Sequence, residues 1–226
     1  FCSVEIPPQD KFRNMKKNIL FAITSLGFMA LQTLCLAQAP TLGSAANFVL
    51  FSTNGDVSNS GLSQLTGNVG TNNGSSTAFG NVNGQMHDND GVSALCAADL
   101  LIAYNQMNAT VPTAFPAPQL GNGQILQEGV YSIAGTAVLN LDLSLDALGD
   151  SNAVFIFQIQ GAFSSTAGSR IILLNGAKAC NVFWKVEGLI SLASGTKICG
   201  TMVANQAAIQ MSSGVELNGR ALSTTG

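Results

Sequence analysis

The chain has 226 residues, of which 9% are charged, and a formal net charge of −3. This length suits one domain with a sizeable core, and the charged fraction is far below the value of about 25% that soluble domains usually show. The low charge and the slight acidic balance exclude a disordered acidic chain and a nucleic-acid-binding protein. A surface of small, neutral polar side chains has to meet its partner through shape and many weak hydrogen bonds.

The amino-terminal segment has the order of a secretory signal peptide over residues 15–39. Met15, Lys16 and Lys17 form a basic start, residues 19–36 are mostly apolar, and residues 37–39 (Ala-Gln-Ala) form a small-x-small cleavage site. Polar residues interrupt the apolar run and no basic cluster follows it, which argues against a membrane anchor. Residues 1–14 are interpreted as an upstream gene-model extension. The sequence therefore predicts a secreted domain over residues 40–226.

Three cysteines remain in this predicted domain, namely Cys96, Cys180 and Cys199. Export permits a disulfide, but the sequence does not select a pair, and an odd number leaves at least one thiol over. A metal site is disfavoured because the cysteines are widely spaced and His87 is the only histidine. We expect no cofactor.

One helix is predicted over about residues 93–107. Apolar residues recur there at helical spacing, and Ser93 is a suitable N-cap. Prolines at 112, 116 and 118 then favour a loop.

The carboxyl-terminal half contains an internal repeat. Residues 190–195 align with residues 209–214 at an offset of 19, and residues 163–168 align with residues 190–195 at an offset of 27. Glycines at fixed corners with period-2 alternation between them are typical of a β-helix. The unequal offsets predict coils of variable length, with three short strands each, near residues 182–186, 189–193 and 196–199 in one coil.

Alternation along these strands predicts which side chains point inward. The expected inward residues are Val182, Trp184, Val186, Ile190, Leu192 and Ile198. Ile156, Phe183 and Met202 alternate away from the core at equivalent positions and form an outward apolar row. We expect the helix to lie along the solenoid over this row, because a bare row would be an exposed apolar patch.

Several segments resemble the ice-binding (antifreeze) protein family of bacteria and microbial eukaryotes that has a discontinuous β-solenoid. The resemblance runs from about Thr41 to the last residue. Its motifs are residues 42–48 (LGSAANF), 66–70 (TGNVG), 98–105 (ADLLIAYN), 126–131 (LQEGVY), 152–158 (NAVFIFQ), 175–184 (NGAKACNVFW) and 217–222 (LNGRAL).

The resemblance implies a mainly β fold, a right-handed triangular parallel β-solenoid with one long helix along one side. It also implies that the amino-terminal segment closes the coil stack and that one flat face, not covered by the helix, adsorbs to ice and inhibits its growth or recrystallisation. The family usually continues for another strand or more beyond Leu222, so the carboxyl terminus is interpreted as truncated. Attachment to a cell surface through downstream domains stays open.

The candidate ice-binding face is the second strand row of the coils. The helix is expected to cover the first row, and the third carries Arg170, Lys197 and Glu216 outward, which is unfavourable for ice. Asp142, Ser169, residues 58–60, Thr66 and Thr71 could flank or extend the second row. The predicted contact residues are Asn140, Ser164, Thr166, Ser191, Ala193, Thr196, Gln210 and Ser212.

Enzymatic chemistry is disfavoured, and no small-molecule substrate is expected. Asp142, Asp146 and Asp150 are interpreted as solvated turn residues near a corner, and residues 88–91 (DNDG) as a helix start instead of a calcium loop. The alternative function is a cell-surface adhesion module that binds a glycan or a protein. A glycan site would need exposed aromatic residues, but Trp184 alternates inward and Tyr104 lies on the helix.

Overall fold

The structure is a computed structural model that describes residues 37–226. The predicted upstream extension and most of the predicted signal peptide lie outside these residues. The described part contains one long helix, α1 (Gly91–Ala109), two short 3₁₀ turns and a series of short strands. In chain order the strands are β1 Phe48–Ser52, β2 Val57–Ser58, β3 Leu65–Thr66, β4 Asn68–Thr71, β5 Ser76–Thr77, β6 Val82–Asn83, β7 Met86–Asp88, β8 Gln119–Gly121, β9 Gln124–Leu126, β10 Gly129–Ile133, β11 Ala137–Asn140, β12 Asp142–Asp146, β13 Phe155–Ile159, β14 Phe163–Ser165, β15 Arg170–Leu174, β16 Val182–Val186, β17 Ile190–Leu192, β18 Lys197–Ala204, β19 Ile209–Met211 and β20 Glu216–Ser223.

These strands stack as parallel coils with three faces. The first face has the order β10-β13-β16-β18-β20-β1-β4-β7, the second β8-β11-β14-β17-β19, and the third runs from β9 through β12 and β15 to the first halves of β18 and β20. On the first face β1 pairs directly with β20. The amino-terminal strands therefore follow the carboxyl-terminal strand in space, which confirms the expected discontinuous solenoid.

The core confirms the predicted alternation. The six residues predicted to point inward are all at most 3% exposed. An aromatic stack runs through the coils: the ring of Trp184 lies 4.1 Å from that of Phe157 and 5.1 Å from that of Phe163, and Tyr131 stacks on Phe157 at 5.2 Å. The indole Nε1 donates to the carbonyl of Cys199 at 2.9 Å, so the one polar atom of this buried ring is satisfied.

The helix is longer than predicted and starts differently. Asp90, not Ser93, is the N-cap: its carboxylate accepts from the backbone N–H groups of Val92 and Ser93, and the Ser93 hydroxyl accepts from the N–H of Asp90. This capping box confirms the interpretation of residues 88–91 as a helix start. The backbone hydrogen bond from Ser93 and the contact with His87 lower the pKa of Asp90 to about 2.

As predicted, the helix lies against the outward apolar row of the first face. Leu100 and Met107 of the helix pack in one buried cluster with Ile156, Phe183 and Val203. The prediction that Met202 belongs to this row is wrong, because Met202 pairs with Trp184 and points into the core. In this coil four residues (205–208) join the first face to the second, whereas three (187–189) do so in the preceding coil. The repeat offset of 19 therefore holds after this corner but misaligns the residues before it, including Met202.

Polar contacts also attach the helix to the stack. Asp99 accepts from the backbone N–H and the hydroxyl of Ser44 at 2.7 and 2.6 Å. Gln158, which is buried, donates to the carbonyls of Met107 and Thr110, both at 2.7 Å. These bonds hold the middle and the carboxyl-terminal end of the helix against the stack, so the helix covers the first face. No helix in residues 37–226 is both long and apolar enough to span a membrane.

Candidate ice-binding face

The third face carries a ladder of charges. Asp142, Arg170, Lys197 and Glu216 are register partners on neighbouring strands. Arg170 donates to both carboxylate oxygens of Asp142 at 2.9 and 2.7 Å, and Lys197 lies 2.9 Å from Glu216. The hydrogen bond from Arg170 lowers the pKa of Asp142.

The idea that Asp142 extends the second face is wrong. Leu141 has φ +58, and this left-handed residue turns the chain from the second face to the third between Asn140 and Asp142. Asp146 accepts from the backbone N–H of Leu148, and Asp150 accepts from that of Asn152, both at 2.8 Å. Asp146, the last residue of β12, and Asp150 therefore accept hydrogen bonds within turns, as predicted. The interpretation of Asp142 as a turn residue is wrong, because it lies in β12 and pairs with Arg170.

The outward positions of the second face are uncharged. They form two rows that run across the strands, with neighbours set by the strand register. We define the second-face surface as a middle row of Gln119, Val138, Ser164, Ser191 and Gln210, and an edge row of Gly121, Asn140, Thr166, Ala193 and Ser212. All except Gly121 are at least partly exposed.

Seven of the eight predicted contact residues belong to this surface. Gln119, Gly121 and Val138 were missed, although the inward positions of Ala137 and Leu139 place Val138 outward by simple alternation. The four strand-to-strand steps of about 4.8 Å give each row a length of about 19 Å.

Hydrogen bonds hold part of the edge row in place. The Thr166 hydroxyl donates to Oδ1 of Asn140 at 2.9 Å, and Nδ2 of Asn140 donates to Oδ1 of Asn122 at 3.0 Å. A further hydrogen bond of 2.8 Å joins the hydroxyls of Thr166 and Ser169. Side chains that are already fixed lose little conformational entropy when a ligand binds.

The prediction for Thr196 is wrong, because its side chain is buried. Its hydroxyl makes a 2.7 Å hydrogen bond with that of Ser165, inside the corner between the second and third faces. Ser169 is likewise buried, and its hydroxyl donates to the carbonyl of Leu139 at 3.1 Å. These residues support the corner from within and cannot touch an external ligand.

The amino-terminal residues divide between the faces. Ser58 is exposed and pairs with Thr77 in the small β2–β5 sheet. Thr66 is exposed and pairs with Asn83 in the separate β3–β6 sheet. Thr71 is buried on the first face, where its hydroxyl donates to the carbonyl of Gly55 at 2.7 Å, so the suggestion that it extends the ice-binding row is wrong.

The described cysteines and acids form no reactive or metal-binding cluster. Cys96, Cys180 and Cys199 are free thiols that form no disulfide with one another. Burial raises the pKa of the Cys199 thiol to about 12. Burial and, secondarily, Asp99 raise the pKa of Cys96 to about 12. Within residues 37–226, no group of three or more His, Cys, Asp or Glu side chains is placed to hold a metal ion.

Sequence comparison places this architecture in a known family. The model of the family described as ice-binding-like matches residues 51–226. The chain belongs to this family. An ice-binding protein from Nostoc sp. (strain HG1) is 36% identical over 186 residues, which are 80% of this chain and 67% of that protein.

Solved structures of the family agree with the fold. An ice-binding protein from an Antarctic bacterium of the Flavobacteriaceae is 62% identical with a TM-score of 0.82, covering 84% of this chain and 45% of that one. An ice-binding protein from the Antarctic ascomycete Antarctomyces psychrotrophicus is 30% identical with a TM-score of 0.70, covering 83% of this chain and 98% of that one. The chain therefore spans less than half of the Flavobacteriaceae chain but nearly all of the ascomycete one.

Proposed function

We propose that this protein is a secreted, non-enzymatic ice-binding protein that adsorbs to ice through the second-face surface and so inhibits ice growth or recrystallisation. The observation that carries the proposal is the distribution of charge over the three faces. The helix covers the first face, and ion pairs occupy the third. The second face alone combines outward exposure with an uncharged set of short or neutral side chains.

The chemistry of ice explains why such a surface suits it. Ice is solid water, so a charged side chain gains little by leaving liquid water for a crystal surface. Short hydroxyl, methyl and amide groups can instead order water in a regular pattern, and bridging waters can be nearly as favourable as direct hydrogen bonds. Thr166, Ser164 and Ser191 provide such groups at strand spacing.

The rigidity of the second-face surface and its lack of aromatic residues add to this support. The parallel registers fix the spacing across strands, and the bonds among Asn122, Asn140 and Thr166 fix side-chain positions before binding. An adhesion site for a glycan would favour exposed aromatic residues, and neither row of the second-face surface contains one. These features favour ice over a glycan as the partner.

A matched pair of substitutions tests the proposal. Ser191→Tyr places a bulky ring in the middle row, and Ser144→Tyr makes the same change at a partly exposed outward position of the third face. We expect the parent and Ser144→Tyr to facet a growing ice crystal and to show thermal hysteresis. Ser191→Tyr and Thr166→Tyr should abolish both effects, because the ring holds the surface away from the lattice.

Circular dichroism and thermal unfolding provide the folding control for all three variants. Loss of activity in a folded Ser144→Tyr variant, with activity kept in Ser191→Tyr, would move the site to the third face. Round, unhindered crystals beside the parent protein would contradict ice binding itself and favour the adhesion module.

A further inference from the structure

The outer side of helix α1 is apolar, like the inner side that packs on the stack. Leu95, Leu101 and Ile102 are 56%, 55% and 50% exposed. Asp99 is the only charged residue among the 19 of the helix, and it is bonded to Ser44. A helix that is apolar all round is usually buried all round. The outer side of α1 therefore has the composition of a contact surface.

The exposed residues of the outer side form a continuous stripe. Residues three and four positions apart lie on the same side of a helix. We define the helix stripe as the exposed residues that follow this spacing along α1, namely Gly91, Ala94, Leu95, Ala98, Leu101, Ile102 and Asn105. All seven are uncharged, so two copies of the stripe can meet without electrostatic repulsion.

The order of residues along the helix stripe is complementary to itself when it is reversed. Ala98 lies at the centre, where a small side chain lets a second helix approach closely. When that helix runs antiparallel with its own Ala98 opposite, Leu95 of one copy lies beside Ile102 of the other, and Ala94 lies beside Leu101. A two-fold axis makes each of these contacts twice, as an isologous dimer requires.

We propose that the helix stripe is a self-association surface through which two copies of the chain form an antiparallel helix pair. A helix of 19 residues is about 28 Å long and about 10 Å across, so the pair covers on the order of 300 Å² per copy. Stable complexes cover about 800 Å² per partner. The dimer is therefore weak, with a Kd on the order of 100 µM. The second-face surface lies on another side of the solenoid and stays uncovered.

Sedimentation velocity over a range from about 5 µM to about 1 mM tests the pairing. We expect the average mass of the parent to rise with concentration toward that of a dimer. Leu101→Glu should raise the Kd at least about tenfold, because it places a carboxylate in an apolar contact. Glutamate suits a helix, and circular dichroism confirms that the variant is folded. Ile125→Glu, at a third-face position that is 59% exposed, is the matched control and should associate like the parent.

Cross-linking tests the antiparallel register. In a chain with serine at Cys2, Cys35 and Cys180, the remaining native thiols are buried. Ala98→Cys in this chain should form a disulfide-linked dimer on oxidation with copper phenanthroline, because Ala98 faces its own copy. Asn105→Cys should not, since its two copies are separated by about 21 Å along the axis and a disulfide needs Cα atoms within about 7 Å.

Three results would overturn the proposal. The first is a parent that stays monomeric at every concentration; if that monomer also sediments with phosphatidylcholine vesicles, the helix stripe binds lipid instead of a second copy. The second is an Ile125→Glu variant that weakens association as much as Leu101→Glu does. The third is cross-linking at Asn105→Cys as efficient as at Ala98→Cys. None of these measurements involves ice, so they are independent of the proposed function.

Discussion

The contact between the helix and the first face contains a buried charge that can be unbalanced by one substitution. Lys185 is 1% exposed and forms an ion pair with Glu187, and its Nζ lies 5.4 Å from the centroid of the Tyr104 ring. Glu187 also accepts from the Tyr104 hydroxyl at 2.6 Å and from Nδ2 of Asn205 at 2.6 Å. Partial burial opposes ionisation of Glu187, but the hydrogen bonds from Lys185, Tyr104 and Asn205 outweigh it and lower its pKa.

Glu187→Gln should therefore destabilise the protein strongly. It leaves the Lys185 ammonium buried without a counter-charge, and breaking a buried pair in this way costs about 3–5 kcal/mol. The Glu187 side chain is 23% exposed, so water can partly compensate and we expect the low end, about 3 kcal/mol. For a chain of this size that corresponds to a decrease in Tm of about 6–12 °C.

Urea denaturation followed by circular dichroism measures this loss, and a double variant identifies its cause. Lys185→Met combined with Glu187→Gln removes both charges and should recover most of the lost stability, since a hydrophobic replacement of a buried pair is often neutral. A Glu187→Gln variant within about 0.5 kcal/mol of the parent would refute the reasoning, because such values are typical of neutral surface changes.

Two further predictions concern the coil corners and the helix cap. Gly195→Val should cost about 1–2 kcal/mol, because φ is +72 there but a Cβ would make only ordinary van der Waals contacts, at 3.9 Å from Gly168. Gly219→Val should lower Tm much further, because its Cβ would lie 1.9 Å from the backbone oxygen of Gly200. Thermal scans of the two variants give the comparison. The pKa of Asp90, lowered to about 2 by the backbone hydrogen bond from Ser93, adds stability that is complete above about pH 4 and is lost as the pH falls toward 2; Asp90→Asn, which keeps a capping side chain, should flatten that part of a plot of Tm against pH.

The coil pattern was predictable because it depends on local alternation. Trp184, Val186 and Ile190 could be placed inward from the sequence alone, and the structure buries all three. The sequence also predicted that the third face is unfavourable for ice, since the charged residues Arg170 and Lys197 recur at equivalent positions.

Two of the errors in prediction, at Thr196 and Met202, arise at corners, where alternation no longer sets the direction of a side chain. Thr196 is the last residue of a turn that its own N–H closes by donating to the carbonyl of Ala193, and its side chain is directed inward. Met202 was misplaced because the corner of residues 205–208 has one more residue than its counterpart. The pairing of β1 with β20 joins residues about 170 positions apart, and no periodicity in the sequence indicates it. The expectation that the amino-terminal segment closes the coil stack came only from the family resemblance.

The second face keeps its strand register although the coils differ in length. The outward partners Val138, Ser164, Ser191 and Gln210 are separated by 26, 27 and 19 residues, yet they remain in register across the sheet. The difference in coil length is absorbed elsewhere, chiefly in residues 175–181 between the third and first faces. The third face is equally regular, since Asp142, Arg170, Lys197 and Glu216 are also register partners, but it is charged. The second face therefore combines strand register with an uncharged surface. A surface that must match a repeating lattice needs both, because one displaced strand would break the spacing on which binding depends.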